Sequence, residues 1–169
     1  MADFHFTNEH NARSTGEILR VLREPRLWVP SQLDYPDFDQ WLDKTEAAIL
    51  NNTARALSAY IGTQPVGAVI YKMCPEDSAT LQIKNISLAP DARGRHIASF
   101  LVRNAEIEAA RHDFPDCNQV TVDTKVSNPE MINFLLSADY NIDRVEDLYG
   151  LGGGLDVVFS KSLEANTRN

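Results

Sequence analysis

Apolar positions along the chain change their period several times, and each change marks an element. Ile18, Leu19 and Leu22 share one helical face behind Ser14-Thr15-Gly16-Glu17, which has the spacing of a capping box, and Pro25 closes the segment. Phe38, Trp41, Leu42, Thr45, Ala48 and Ile49 recur at helical spacing from about Pro36 to Asn51-Asn52, which predicts a second helix. The period then falls to two. Residues 55–61 and 66–73 are apolar, β-branched or aromatic, and Gly62-Thr63-Gln64-Pro65 between them reads as a hairpin turn. A third strand follows from about Thr80 to Leu88, and its pattern breaks phase: Leu81 and Ile83 hold one parity, Ile86 and Leu88 the other. An extra residue near Lys84-Asn85 would produce that break, so a β-bulge is expected there, with Ile86 and Leu88 in the core.

Pro90 to Arg95 reads as a loop, after which Ile97, Leu101, Ala105 and Ala109 stack on one face of a helix ending near His112. Gln119 to Lys125 alternates with Val120 and Val122 inward, and Asn128-Pro129 opens a helix carrying Met131, Ile132, Leu135 and Leu136. A less regular strand spans Ile142 to Leu148, and Gly152-Gly153-Gly154 turns into a last strand from Leu155 to Ser160. Helices, a meander, then strand–helix–strand–helix–strand–strand predict an α/β (α+β) fold, a mixed sheet with helices on both faces. No repeat, low-complexity tract or linker interrupts the chain, so residues 1–169 are read as a single domain.

Composition narrows the class. Hydrophobic residues at 43% and charged residues at 24% are globular values, and no run approaches the ~18 apolar residues of a membrane span. Cys74 and Cys117 are too few for a disulfide framework or a four-ligand zinc site, and His5, His10 and His112 lack metal spacing. Met1-Ala2-Asp3 begins no cationic, apolar signal, so a cytoplasmic protein with free thiols is expected. The net charge of −8 opposes a large nucleic-acid footprint, because phosphate binding needs clustered Lys and Arg, and it suits a basic partner or merely keeps the surface soluble. Glu76, Asp77, Asp37, Asp39 and Asp43 are acidic positions for an amine-binding face or simply for a solvated one.

Chemistry concentrates in Ile86-Ser87-Leu88-Ala89-Pro90-Asp91-Ala92-Arg93-Gly94-Arg95-His96-Ile97-Ala98-Ser99, where a strand passes through a short basic turn into a helix. The first amides of a helix have no intrahelical acceptor and carry the positive end of its dipole, so a phosphate or pyrophosphate fits across Arg95 to Ser99. Gly94 and Ala98 are small enough for close approach, and Arg93 and Arg95 add charge unless they are ordinary solvated arginines.

On these residues the sequence resembles the GNAT superfamily of acyl-CoA-dependent N-acetyltransferases, whose pyrophosphate loop reads Arg/Gln-x-x-Gly-x-Gly/Ala. Arg93-Gly94-Arg95-His96-Ile97-Ala98 matches its first and last positions, with His96 where glycine is usual; a bulky residue there calls for φ < 0 or a displaced loop. The order of elements fits from about Ser14 to Leu163. The resemblance implies a mostly antiparallel sheet that splays at the bulged strand, with acetyl-CoA as co-substrate. It implies that the pantetheine arm lies along the backbone of Ile86 and Leu88, and that Arg93, Gly94, Arg95, His96, Ile97, Ala98 and Ser99 hold the pyrophosphate. Asn128 would contact the cofactor, or serve only as the N-cap that Asn before Pro commonly is, and Phe134 would flank the arm or pack.

The catalytic positions depart from the resemblance. A glutamate base and a tyrosine acid are common in the family, yet the bulged strand offers Gln82, Lys84 and Asn85, and Leu135 stands where tyrosine is frequent. The closing glycine-aromatic pair is Asp139-Tyr140. No catalytic residue is assigned. Asn85 could order a relaying water and Tyr149 could reach a substrate mouth, while Cys117 is read as structural; a tyrosine restored at Leu135 should raise turnover if the ring fits. Two functions follow. One is an N-acetyltransferase in which a primary amine, of a small molecule, polyamine, peptide or protein, attacks directly. The other is an acyl-CoA sensor that kept the pocket, lost catalysis and acts through a protein partner. A toxin-like acetyltransferase acting on aminoacyl-tRNA is disfavoured by the charge of −8. The expected partners are an amine-bearing acceptor, with no nucleic acid and no membrane, and a homodimer stays open.

Overall fold

The computed structural model describes residues 4–8, 12–23, 38–150 and 154–163. Among them are seven strands and four α-helices: β1 (Phe4–Thr7), α1 (Ala12–Leu22), α2 (Phe38–Leu50), β2 (Arg55–Ile61), β3 (Gln64–Cys74), β4 (Asp77–Leu88), α3 (Ile97–Glu108), β5 (Gln119–Lys125), α4 (Pro129–Ser137), β6 (Asn141–Glu146) and β7 (Asp156–Ser162). The strands form an open, mostly antiparallel sheet in the order β1-β2-β3-β4-β5-β7-β6. Two compact units divide the chain, residues 1–72 with 85–107 and residues 73–84 with 108–169, so β4 contributes to both.

In the first unit β1, β2 and β3 form an antiparallel meander. Ile61 pairs with Gln64, which leaves Gly62 and Thr63 as a two-residue turn, with Gly62 at φ 58° in the first central position. Alternation sends Ala56, Ala68 and Ile70 to one face, where they pack with Ile18, Leu19 and Leu22 of α1 and with Leu42 and Ile49 of α2. The opposite face carries α3. A Cβ on Gly67 there would run into the side chain of Leu88 and lie 3.4 Å from Leu101. Glycine at 67 therefore lets Leu88 and α3 close over β3.

The second unit contains the one parallel pairing described, Thr80–Ile83 of β4 beside Gln119–Val122 of β5. β5 then pairs antiparallel with β7, and β7 with β6. Val120 and Val122 are buried, as their alternation predicts, and the Asn128 Nδ2 donates to Thr124 Oγ1 at 3.1 Å, which seats α4 on their face. A π-helical turn, Ala109–Asp113, extends the helical segment that begins with α3.

Several expectations are corrected. Ser14 and Thr15 lie inside α1 and are buried, so they do not open it as a capping box, and Glu17 instead accepts from the Tyr60 hydroxyl at 2.8 Å. Ile86 and Leu88 are only half-buried, and Ser87 between them is the buried residue, with its hydroxyl donating to Asn85 Oδ1 at 2.5 Å. Leu136 stays 46% exposed, because Leu135 alone takes the inward position at that turn of α4. β1 has no counterpart in the sequence reading. Pro25, Pro36, Asp37, His10 and the Gly152-Gly153 pair lie outside the described residues.

Candidate functional site

The loop between β4 and α3 is built by burying its two ends and exposing its middle. The Ala89 amide donates to Val66 O at 2.8 Å, which ties the end of β4 to β3. Pro90–Ala92 forms one 3-10 turn, closed by the Ala92 amide on Ala89 O at 2.9 Å. Ala92 is fully buried and Ile97 nearly so, whereas Arg93, Gly94, Arg95 and His96 between them are exposed. Anchoring at both ends holds the exposed turn in one shape.

That shape is set by two left-handed residues, Gly94 at φ 69° and His96 at φ 60°. Of the two alternatives expected for His96, the negative φ is not what is found: histidine takes a left-handed conformation, one that suits glycine. Non-glycine residues accept this region at a modest penalty, and histidine is among the more tolerant. α3 follows at once, with the Phe100 amide donating to His96 O at 3.0 Å as its first backbone bond. The amides of Ile97, Ala98 and Ser99 precede that bond and point out of the first turn.

The segment suits a pyrophosphate on its own geometry. Left-handed residues interleaved in a turn aim successive amides into a concavity that binds anions, and here that turn runs straight into a helix N-terminus. A Cβ on Gly94 would meet nothing within 4 Å, so the space above it is open and its φ is what requires glycine. Arg93 and Arg95 supply two cationic side chains on the exposed stretch.

Ile86, Leu88 and Arg93 to Ser99 belong to the first unit, and Asn128 and Phe134 to the second. Asn128 is 5% exposed and caps α4, its Oδ1 accepting from the Met131 amide at 3.2 Å while its Nδ2 holds Thr124. Phe134 is half-buried on α4. Leu135 is fully buried and points into the packing beneath the helix. The helix ends in a Schellman motif, with the Tyr140 amide on Leu135 O at 3.1 Å and the Asp139 amide on Leu136 O at 3.3 Å. Asp139, which closes this motif, takes φ 65°, so here too a residue with a side chain holds a left-handed conformation.

The second unit also holds a polar cluster that sequence reading missed. On the β5 face opposite Val120 and Val122, Asp123 accepts from the Tyr149 hydroxyl at 2.9 Å, and the Lys125 ammonium lies 5.5 Å from the centre of the Tyr149 ring. Lys125 pairs with the buried Asp156 at 3.0 Å, directly across from it on β7, and also donates to Gly154 O at 3.2 Å. Parity along β5 puts Asp123 and Lys125 on one face, but their partners come from the β5–β7 register and from Tyr149, which the sequence does not announce. Tyr149 is thus held by Asp123. Asn85 keeps its Oδ1 on Ser87, and burial pushes the Cys117 thiol up from its ordinary value, in keeping with a structural cysteine. Among the described residues no three His, Cys, Asp or Glu side chains converge as a metal site, and no helix is long and apolar enough to cross a membrane.

Residues 16–140 match the model of the acetyltransferase (GNAT) family, well over half of the chain. The chain belongs to the GNAT acetyltransferase family. Solved structures agree on the fold. A protein from Desulfovibrio desulfuricans assigned to the GNAT family aligns with a TM-score of 0.75 at 12% identity, over 95% of this chain and 99% of its own. The ribosomal-protein-S18-alanine N-acetyltransferase of Escherichia coli gives 0.73 at 11%, over 99% of both chains. An N-acetyltransferase of Thermoplasma acidophilum, solved in complex with coenzyme A, gives 0.71 at 13%, over 95% and 99%. No curated protein matches by sequence. In this member of the GNAT acetyltransferase family, the β4–α3 turn carries left-handed residues at Gly94 and His96.

Proposed function

We propose that this chain acts as one domain that transfers an acetyl group from acetyl-CoA to a primary amine. The observation that carries the reading is the β4–α3 turn, in which Gly94 and His96 both adopt left-handed conformations ahead of the open first turn of α3. On this reading Arg93 to Ser99 hold the pyrophosphate and the backbone of Ile86 and Leu88 lies along the pantetheine arm; in the second unit, Asn128 and Phe134 are proposed as further cofactor contacts. Bound acetyl-CoA would supply the activated acetyl thioester. The acceptor is an amine rather than a nucleic acid, on the acidic balance of the chain, and the site of action is cytoplasmic. The Escherichia coli neighbour, by its name, acts on an alanine of a ribosomal protein, and that supports an amine acceptor here as well.

One observation favours a second reading, an acyl-CoA sensor without catalysis. At the position where a tyrosine acid is common, Leu135 is sealed in the core and has no proton to give. Binding and turnover separate the two. Acetyl-CoA at a hundredfold excess over its Kd should stabilise the fold by about 2.7 kcal/mol, read as a rise in melting temperature. Ala98→Glu, which sets a negative charge against the pyrophosphate, should abolish that rise while leaving the unliganded melting temperature nearly unchanged. No rise in the parent protein would remove the cofactor from this turn. A rise without thiol release across a panel of small amines, polyamines and N-terminal peptides would leave the sensor.

A further inference from the structure

Among the described residues β6 is an outermost strand of the sheet, and its residues Asn141 to Val145 are all exposed. Such a strand offers a row of backbone donors and acceptors to a further strand. Its side chains are sorted by an irregularity between Ile142 and Arg144 in the register with β7. Ile142 sits opposite Phe159 and Val145 opposite Val157, and both of those β7 residues belong to the buried face that carries α4. The extra residue, Asp143, goes to the other face, where it accepts from the Ser160 hydroxyl at 2.7 Å, and Arg144 opposite Val158 joins it there. Without that extra residue Ile142 and Val145 would point to opposite faces. With it they form an apolar pair along one edge, 51% and 50% exposed, on the face of α4 and its 46% exposed Leu136.

We propose that β6 pairs antiparallel with β6 of a second copy of this chain, about a two-fold axis between Asp143 and Arg144. The charges choose both the occupant and the register. In a two-fold antiparallel pair the paired numbers have a constant sum. Centring on the Asp143–Arg144 bond sets Asp143 against the partner's Arg144, Ile142 against the partner's Val145 and Asn141 against the partner's Glu146. Sliding by one residue sets either Asp143 against its own copy or Arg144 against its own copy, and like charges directly opposite are unfavourable. The sequence Asn-Ile-Asp-Arg-Val-Glu is thus complementary to its own reversal, which a strand meeting an unrelated partner has no reason to be. The faces agree as well. A two-fold axis normal to the sheet keeps Ile142 and the partner's Val145 on the side of α4, and both ion pairs on the other.

One strand pair with two apolar contacts lies at the small end of stable interfaces, so the dimer should dissociate on dilution. Sedimentation velocity across a concentration series should show the mass rising from one chain to two. Asp143→Arg turns both cross-strand pairs into like-charge contacts and should weaken association about tenfold or more. The double variant Asp143→Arg/Arg144→Asp restores opposite charges in the same register and should return the parent behaviour, with far-UV circular dichroism confirming the fold of each protein. Because Asp143 also accepts from Ser160, an arm independent of charge fixes the register. In a Cys74→Ser background, a mixture of Ile142→Cys and Val145→Cys chains should form an intermolecular disulfide under mild oxidation, whereas Ile142→Cys alone should not. A single-chain mass at every concentration overturns the proposal. So does a dimer indifferent to Asp143→Arg, or one that joins position 142 to its own copy.

Discussion

His96 and Asp139 pose the same question at two places: why a residue with a side chain holds a conformation that suits glycine. Their φ values, 60° and 65°, lie in the left-handed region, where a Cβ crowds the following carbonyl by roughly 1–2 kcal/mol, less for aspartate and histidine. At each site the surrounding structure leaves no choice. His96 joins a turn anchored by buried Ala92 and Ile97, and Asp139 closes the Schellman motif of α4. The local strain is therefore retained by contacts made elsewhere. Relieving it should show in stability. His96→Gly and Asp139→Gly are each expected to be neutral to stabilising by up to about 1 kcal/mol, since relief of the strain is offset in part by the greater freedom of glycine in the unfolded chain. Urea midpoints would measure this, and a loss above about 1 kcal/mol at His96 would mean that its side chain, and not just its backbone, supports the turn. Acetyl-CoA binding by the His96→Gly protein should be at least as tight as in the parent.

Elements whose own sequence holds both the period and the ends were legible, and those defined by a distant neighbour were not. β5 alternates cleanly over seven residues, and Asn128-Pro129 announces α4, so both lie where the pattern put them. β1 is four residues long, too short for a period, and exists because β2 offers it an edge. The pair Lys125–Asp156 joins residues 31 apart through the β5–β7 register, and nothing local to either residue announces it. The β4–α3 turn stood out in the sequence because a helix start follows a basic loop, whereas the conformation of His96 depends on a turn whose two ends, Ala92 and Ile97, are buried. For α4 the consequence is a reversed expectation. Leu135 is fully buried, so Leu135→Tyr cannot simply restore a donor; the larger ring must displace the core beneath the helix. The variant should lose about 1–3 kcal/mol in denaturant unfolding and gain nothing in kcat. An increase in kcat with unchanged stability would show that the helix can present a hydroxyl at that position after all.

At the scale of the whole molecule, the proposed acetyl transfer would have to proceed without the glutamate and tyrosine common in the family at the matching positions, and that sets an expected pH dependence. The polar positions on the middle of β4 are Gln82, Lys84 and Asn85, of which Asn85 is engaged by Ser87, and Tyr149 is held by Asp123. No carboxylate stands on that stretch of β4 to take a proton from the attacking amine. On the proposed reading, the amine is then expected to arrive neutral. For a lysine-like acceptor with a pKa of about 10.4, the neutral fraction grows tenfold with each pH unit below that value. kcat/KM should therefore rise with unit slope in log form from pH 6.5 to 9, with the cofactor saturating throughout. An internal base would bend the line to a plateau near its own pKa, because above that pH the base is already free and further deprotonation adds nothing. Acceptors of lower pKa offer the control. An amine near pH 8, such as a peptide α-amino group, should level off near its own value and not at one common to all acceptors. A shared plateau below pH 8 for both kinds of amine would assign the proton to a group of the protein, and replacing Asn85 by Asp, Ala or Leu in turn would then show whether a water ordered at β4 carries it.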